Sequence, residues 1–140
     1  MLLTAGLLLA CLAACSTAPP EQRLRERIAS MQAAIEAGES GGFMDGVADD
    51  FVGEGGMDRR QLRGLIAAQL LRAKEVGVSV VSMEVRMLAG DRQAEVELDV
   101  LLTGGAGLLP DRASTYGIRT GWCDGDDGWQ VISADWDRGL

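Results

Sequence analysis

The 140-residue chain contains no histidine. That removes the commonest general base, the Ser-His and Cys-His nucleophile pairs, and most zinc and iron sites. Proline is scarce, 3 residues against 19 glycines, a balance that favours turns and bent strands over a disordered tail. Basic residues are outnumbered, 13 Lys and Arg against 21 Asp and Glu, for a formal charge of -8. Such a surface repels phosphate backbones and anionic head groups, so no nucleic-acid partner is expected. The acidity itself is the ordinary signature of a soluble surface. What is present is a hydrophobic share of 47%, sufficient for one core in one domain.

Charge is also missing from the beginning of the chain: the first charged residue is Glu21, and Met1 to Ala14 are almost all apolar. A run of about 14 residues is too short for a spanning helix of roughly 20, and suits a secretory h-region that ends in small residues. Leu12, Ala13, Ala14 and Cys15 place a leucine and two small residues ahead of a cysteine. This stretch resembles the bacterial lipoprotein signal. The resemblance implies cleavage before Cys15, a diacylglycerol on its thiol and acylation of the freed amine, several chains anchoring where one alone binds marginally. Leu8, Leu9, Ala10 and Cys11 fit the same pattern less well: cutting there leaves a very short h-region, and Leu9 fits its position less well than Ala13.

On this reading residues 1–14 are a signal peptide, 15–20 the lipidated cysteine and a proline-stiffened tether, and 21–140 the folded domain. Ser16 rather than Asp after the cysteine implies transport to the outer membrane, with the domain facing the periplasm. The lack of Lys or Arg ahead of the h-region departs from signal peptides, and means either a start further upstream or a weak export signal. A buried apolar helix of a cytoplasmic protein is the competing reading.

Beyond Pro20, Leu24, Ile28, Met31 and Ile35 recur at helical spacing, which predicts an amphipathic helix ended by Gly38. Phe43, Val47 and Phe51 share a face of a second, shorter predicted helix, with Asp45, Asp49 and Asp50 largely off it. Asp58, with Gln61 three residues on as in a capping box, opens a third, whose Leu62, Leu65, Ile66 and Leu70 face the core. Period two then takes over. Val76, Val78 and Val80 are followed by Val81, Met83, Val85 and Met87, a change of parity that predicts a bulge or sharp bend. After a turn at Gly90 and Asp91, Ala94, Val96, Leu98, Val100 and Leu102 alternate with Glu95, Glu97 and Asp99 in an antiparallel partner. Ser114, Tyr116, Ile118, Thr120 and Trp122 share a face of the next strand, and the turn DGDDG leads into the last, WQVISADW.

This order, with the segments ADDFVG and WQVISADW, resembles the nuclear transport factor 2-like superfamily, the cone-shaped α+β fold shared with ketosteroid isomerase and the polyketide cyclases. The likeness spans residues 21–138. It implies three N-terminal helices packed on a bent four-stranded antiparallel sheet that forms a cone, with room for an apolar cavity at its open end. Enzymes of the superfamily use an inward Asp or Glu base with a Tyr or acid donor, or an Asp-Arg-Asp set, sometimes with His. The His-dependent versions are excluded here. By the resemblance Tyr116, the only tyrosine, is the donor candidate, and Asp135 its partner if the last strand turns that parity inward. Asp99 should face out with Glu95 and Glu97. A blander role for Tyr116 is a wall residue with its hydroxyl at the rim. The expected ligand pocket is lined by Met83, Met87, Leu98, Tyr116, Ile118 and Trp122.

The remaining motifs read plainly. DGDDG lacks the further ligands and closing Glu of a calcium loop, so it is a hairpin turn. Cys123 stands alone once Cys11 is removed and Cys15 is lipidated, so no disulfide is expected within the mature chain. No cofactor and no metal is expected. Glu84, Arg86, Glu95, Glu97, Asp99 and Arg119 make a charged outer row. The superfamily often dimerises through that face, so a charged one favours a monomer. Leu108 and Leu109 either form a contact or lid at the mouth or pack on their own domain. The expected function is that of an outer-membrane-anchored periplasmic lipoprotein whose non-catalytic domain binds a small apolar ligand or an envelope protein. The alternative is a lyase or isomerase-like enzyme using Tyr116 and Asp135.

Overall fold

The computed structural model describes residues 18–72, 76–104 and 114–138. The apolar leader with Cys11 and Cys15, and the loop holding Leu108 and Leu109, lie outside the described residues. In chain order the elements are α1 (Pro20–Glu36), α2 (Ser40–Met44), β1 (Val47–Gly53), a 3-10 turn (Glu54–Gly56), α3 (Arg59–Arg72), β2 (Val76–Met87), β3 (Gln93–Gly104), β4 (Ser114–Gly125) and β5 (Gly128–Arg138). The strands form one sheet in the order β1-β5-β4-β3-β2.

α1 begins with Pro20, whose missing N–H costs nothing in the first turn. It buries Leu24, Ile28, Met31 and Ala34, while Ile35 is half-buried at the edge of that stripe. Its end is a Schellman motif: Gly38, at φ 74, donates to Ile35 O at 3.0 Å, and Glu39 N donates to Ala34 O at 2.8 Å. At the start of α3 the capping box forms in both directions. Gln61 N donates to Asp58 Oδ1 at 2.8 Å, and Asp58 N donates to Gln61 Oε1 at 2.9 Å. Only Leu62 of α3 is fully buried; Ile66 and Leu70 are half-buried, and Leu65, expected in the core, is 38% exposed.

The expected second helix is largely a strand. Only Ser40–Met44 is helical, and Val47–Gly53 forms β1, parallel to β5. The sheet is therefore five-stranded and mixed, not a four-stranded antiparallel meander. The physical reason is an irregularity in β1: its register against β5 shifts between Val47 and Val52, which leaves both Asp49 and Asp50 exposed between buried Ala48 and Phe51. That shift spaces the apolar residues four apart, as a helix would.

The parity change in β2 is a bulge at Val81, because Val80 pairs with Val100 and Ser82 with Asp99. Val81 itself points out, 67% exposed. A second bulge sits in β5 at Ile132: Trp122 pairs with Val131 and Gly121 with Ser133. The β2–β3 hairpin closes through a β-turn in which Asp91 N donates to Leu88 O at 3.1 Å, with Gly90 (φ 86) in its third position, and Leu88 N donates to Gln93 O at 2.9 Å; Asp91 (φ 54) also has positive φ.

Candidate functional site

Cross-strand register sorts the inner face of the sheet into rows. Nearest the hairpins, Met87, Ala94, Trp122 and Val131 lie side by side; Ala94, Trp122 and Val131 are buried and Met87 is half-buried. The next row is Val85, Val96, Thr120 and Ala134, with Val96 at 0% exposure. Here the polar atoms are satisfied: Trp122 Nε1 donates to Thr120 Oγ1 at 2.7 Å, and that hydroxyl donates to Val96 O at 2.9 Å. These two rows pack with Leu24, Ile28, Met31 and Trp129 in the core.

Further along the strands the cover thins. Met83, Leu98, Ile118 and Trp136 form the third row, and all four are half-buried. Val80, Val100 and Tyr116 follow, with Val100 buried and the other two half-buried. Of the six residues expected to line a pocket, Met83, Leu98, Tyr116 and Ile118 thus come together on one accessible apolar wall. Met87 and Trp122 belong to the closed end instead. The wall contains a residue not singled out from the sequence, Trp136, whose backbone N–H donates to Glu54 Oε2 at 3.3 Å.

Tyr116 and Asp135 are not brought together. Ile118 pairs with Trp136 and Arg119 with Asp135, so Asp135 stands on the opposite face from Tyr116 and is exposed. The cause is the bulge at Ile132: alternation from Trp129 and Val131 alone would have turned Asp135 inward, and the extra residue reverses it. The signal was present in the spacing of Trp129 and Val131 against Ala134 and Trp136.

Charge is gathered on the outer face. Glu84, Glu97, Arg119 and Asp135 run across four strands, all exposed. Ser82, Asp99, Gly117 and Asp137 make the adjacent row. Gly117 has no side chain there, and a Cβ would come within 3.7 Å of Asp99 Oδ1. The result is an open depression of about 330 Å³, bordered by Ser82, Glu84, Glu97, Asp99 and Arg119. Ser82 Oγ donates to Asp99 Oδ2 at 2.6 Å, Arg119 lies 3.8 Å from Asp137, and Arg86 pairs with Glu95. Cys123 is a half-buried free thiol, and no cluster suited to a metal occurs among the described residues.

At the closed end the DGDDG turn is tied to α1. Arg23 Nη2 meets Asp124 Oδ2 at 2.9 Å, and this hydrogen bond holds the guanidinium pKa above its ordinary value. Arg27 Nη2 donates to Asp127 O at 2.9 Å, and Trp129 Nε1 donates to Pro20 O at 3.0 Å. The carboxylate of Asp124 and the carbonyl of Asp127 are thus engaged by arginines of a helix.

No protein-family model matches the chain, and no curated protein matches it in sequence. Solved structures do. An NTF2-like protein of unknown function from Pseudomonas putida KT2440 superposes with a TM-score of 0.73 at 16% identity, over 86% of this chain and 87% of that one. A proposed dehydratase of the NTF2-like family from Streptomyces avermitilis gives 0.72 at 12% identity, over 86% and 97%. Bdellovibrio bacteriovorus Bd1075 gives 0.72 at 11% identity over 84% of this chain, which spans 41% of the length of that protein. Likeness at this level concerns the backbone alone, and the backbone of this chain is nuclear transport factor 2-like.

Proposed function

We propose that this chain is an envelope lipoprotein, cut before Cys15, lipidated there and held on the periplasmic side of the outer membrane, whose domain binds a small apolar ligand without turning it over. The observation that carries the binding role is the gradient of burial along the inner face. The first two rows bury Ala94, Val96, Trp122, Val131 and Ala134, whereas in the next two only Val100 is buried and Met83, Leu98, Ile118, Trp136 and Tyr116 are half-buried. An apolar wall with one hydroxyl at its side suits an apolar molecule with a single polar handle. The non-catalytic role is supported by parity. A lyase or isomerase needs base and donor within hydrogen-bond reach of one substrate, and Asp99 and Asp135 stand across the sheet from Tyr116.

The binding role is tested by titrating the neutral probe N-phenyl-1-naphthylamine into the purified protein. Saturable fluorescence is expected, weakened about tenfold or more by Ile118→Asp, which buries a charge in the wall, and unchanged by Asp135→Asn. A linear response without saturation overturns it. For the anchor, Cys15→Ser should abolish incorporation of labelled palmitate and release the protein from the membrane fraction. Unchanged fractionation sinks that part.

One observation favours a protein partner as a second reading. Glu84 and Glu97 oppose each other beside the outer depression, an arrangement that a basic side chain would relieve. A photo-crosslinker at Asp99 should then capture one envelope protein, and Glu84→Lys with Glu97→Lys should abolish the capture.

A further inference from the structure

The tether between lipid and domain is shorter than the segment STAPPEQ suggests, because its second half is bound to the fold. Pro20 O accepts from the buried indole of Trp129 at 3.0 Å. Ala18 O accepts from Arg23 Nε at 3.3 Å, and Arg23 is itself paired with Asp124 at 2.9 Å. Residues 18–20 are therefore fixed against the β4–β5 hairpin. The β2–β3 hairpin lies at the same end, since Asp124 N donates to Arg92 O at 2.9 Å.

Only Ser16 and Thr17 separate Ala18 from Cys15. Three residue steps span at most roughly 10 Å, comparable to the polar layer of a bilayer leaflet. We propose that the two hairpin tips, Gly90–Asp91 and Asp126–Asp127, form the lipid-facing end of the molecule, resting on a zwitterionic, ammonium-bearing headgroup surface. This rests on lipidation at Cys15. The tips carry Asp91, Asp126 and Asp127 against Arg92 and Arg27, a net negative charge within about one Debye length of the headgroups, so anionic lipid repels them and ammonium groups attract them. The wall around Tyr116 then opens away from the membrane. Trp122 and Ser114 are eight residues apart along β4, so the far end stands roughly 25 Å further out.

The test uses the full lipidated chain in vesicles of phosphatidylethanolamine and phosphatidylcholine carrying a headgroup nitroxide. A fluorophore is attached through Asp126→Cys or Ser79→Cys in a Cys123→Ser background. Quenching at position 126 is expected to exceed that at 79 by about twofold or more, since contact quenching acts over roughly the same span as the tether. Inserting six Gly and Ser residues between Thr17 and Ala18 should relieve it, and replacing about a third of the lipid by phosphatidylglycerol should lower it. Equal or reversed quenching in protein that is vesicle-bound and carries lipid at Cys15 overturns the orientation. Quenching unchanged by the insertion overturns the short tether, and a rise with phosphatidylglycerol overturns the headgroup preference. A chain without lipid on Cys15 overturns the anchor itself, a result read separately by mass.

Discussion

Glu84 and Glu97 face each other directly across β2 and β3 on the outer surface, both exposed. Like charges in that position repel, so Glu84→Lys should stabilise the fold by about 0.2–1 kcal/mol. The gain should shrink at high salt, because the pair is open to solvent. Urea denaturation at low and high ionic strength measures both, and a loss of stability would mean that Glu84 has a role the register does not reveal.

The reciprocal bonds between Asp58 and Gln61 predict a cost for removing either side chain. Asp58→Ala should lower stability by about 1 kcal/mol, within the usual range for an N-cap, and Asp58→Asn should restore most of it. Equal denaturation midpoints for the original and alanine proteins would show that α3 is held by packing alone.

Trp129 is 2% exposed and bonded to Pro20 O, so its two contributions separate by substitution. Trp129→Ala should cost about 3–5 kcal/mol through the cavity it leaves. Trp129→Phe retains part of the ring volume and loses the hydrogen bond, at a smaller cost on the order of 1–3 kcal/mol. Thermal unfolding followed by circular dichroism ranks the three proteins, and an equal loss for both variants would remove the bond from the account.

Gly90 sits at φ 86, where a side chain meets its own backbone. Gly90→Ala should cost about 1 kcal/mol, while Asp91→Gly, at φ 54, should be neutral or mildly stabilising. The contrast can be read from denaturation midpoints, and a tolerated alanine at 90 would argue against the positive φ of that turn position.

Much of the fold could be read from residue spacing, and the failures share a cause. The bulge in β2 was visible because apolar residues mark both sides of it, Val78 and Val80 before, Met83 and Val85 after. β1 was hidden because its irregularity leaves Asp49 as well as Asp50 exposed, which breaks the alternation of a strand, while Val47 and Phe51 recur at four, a spacing that also fits a helix. For the site, alternation placed Met83, Leu98, Tyr116 and Ile118 on one face. Depth along a strand is another matter. Nothing local to Trp122 says that its row, unlike that of Ile118, is buried in the core.

The bulge at Ile132 leaves the chemistry of this domain delicately placed. Were β5 to run past Ile132 without the bulge, plain alternation from Val131 would turn Asp135 and Asp137 inward and Trp136 out. Carboxylates would then stand beside Ile118 and Tyr116, on a wall that now presents an indole. The distance between an apolar wall and an acid facing a phenol is, in this sheet, a single β-bulge.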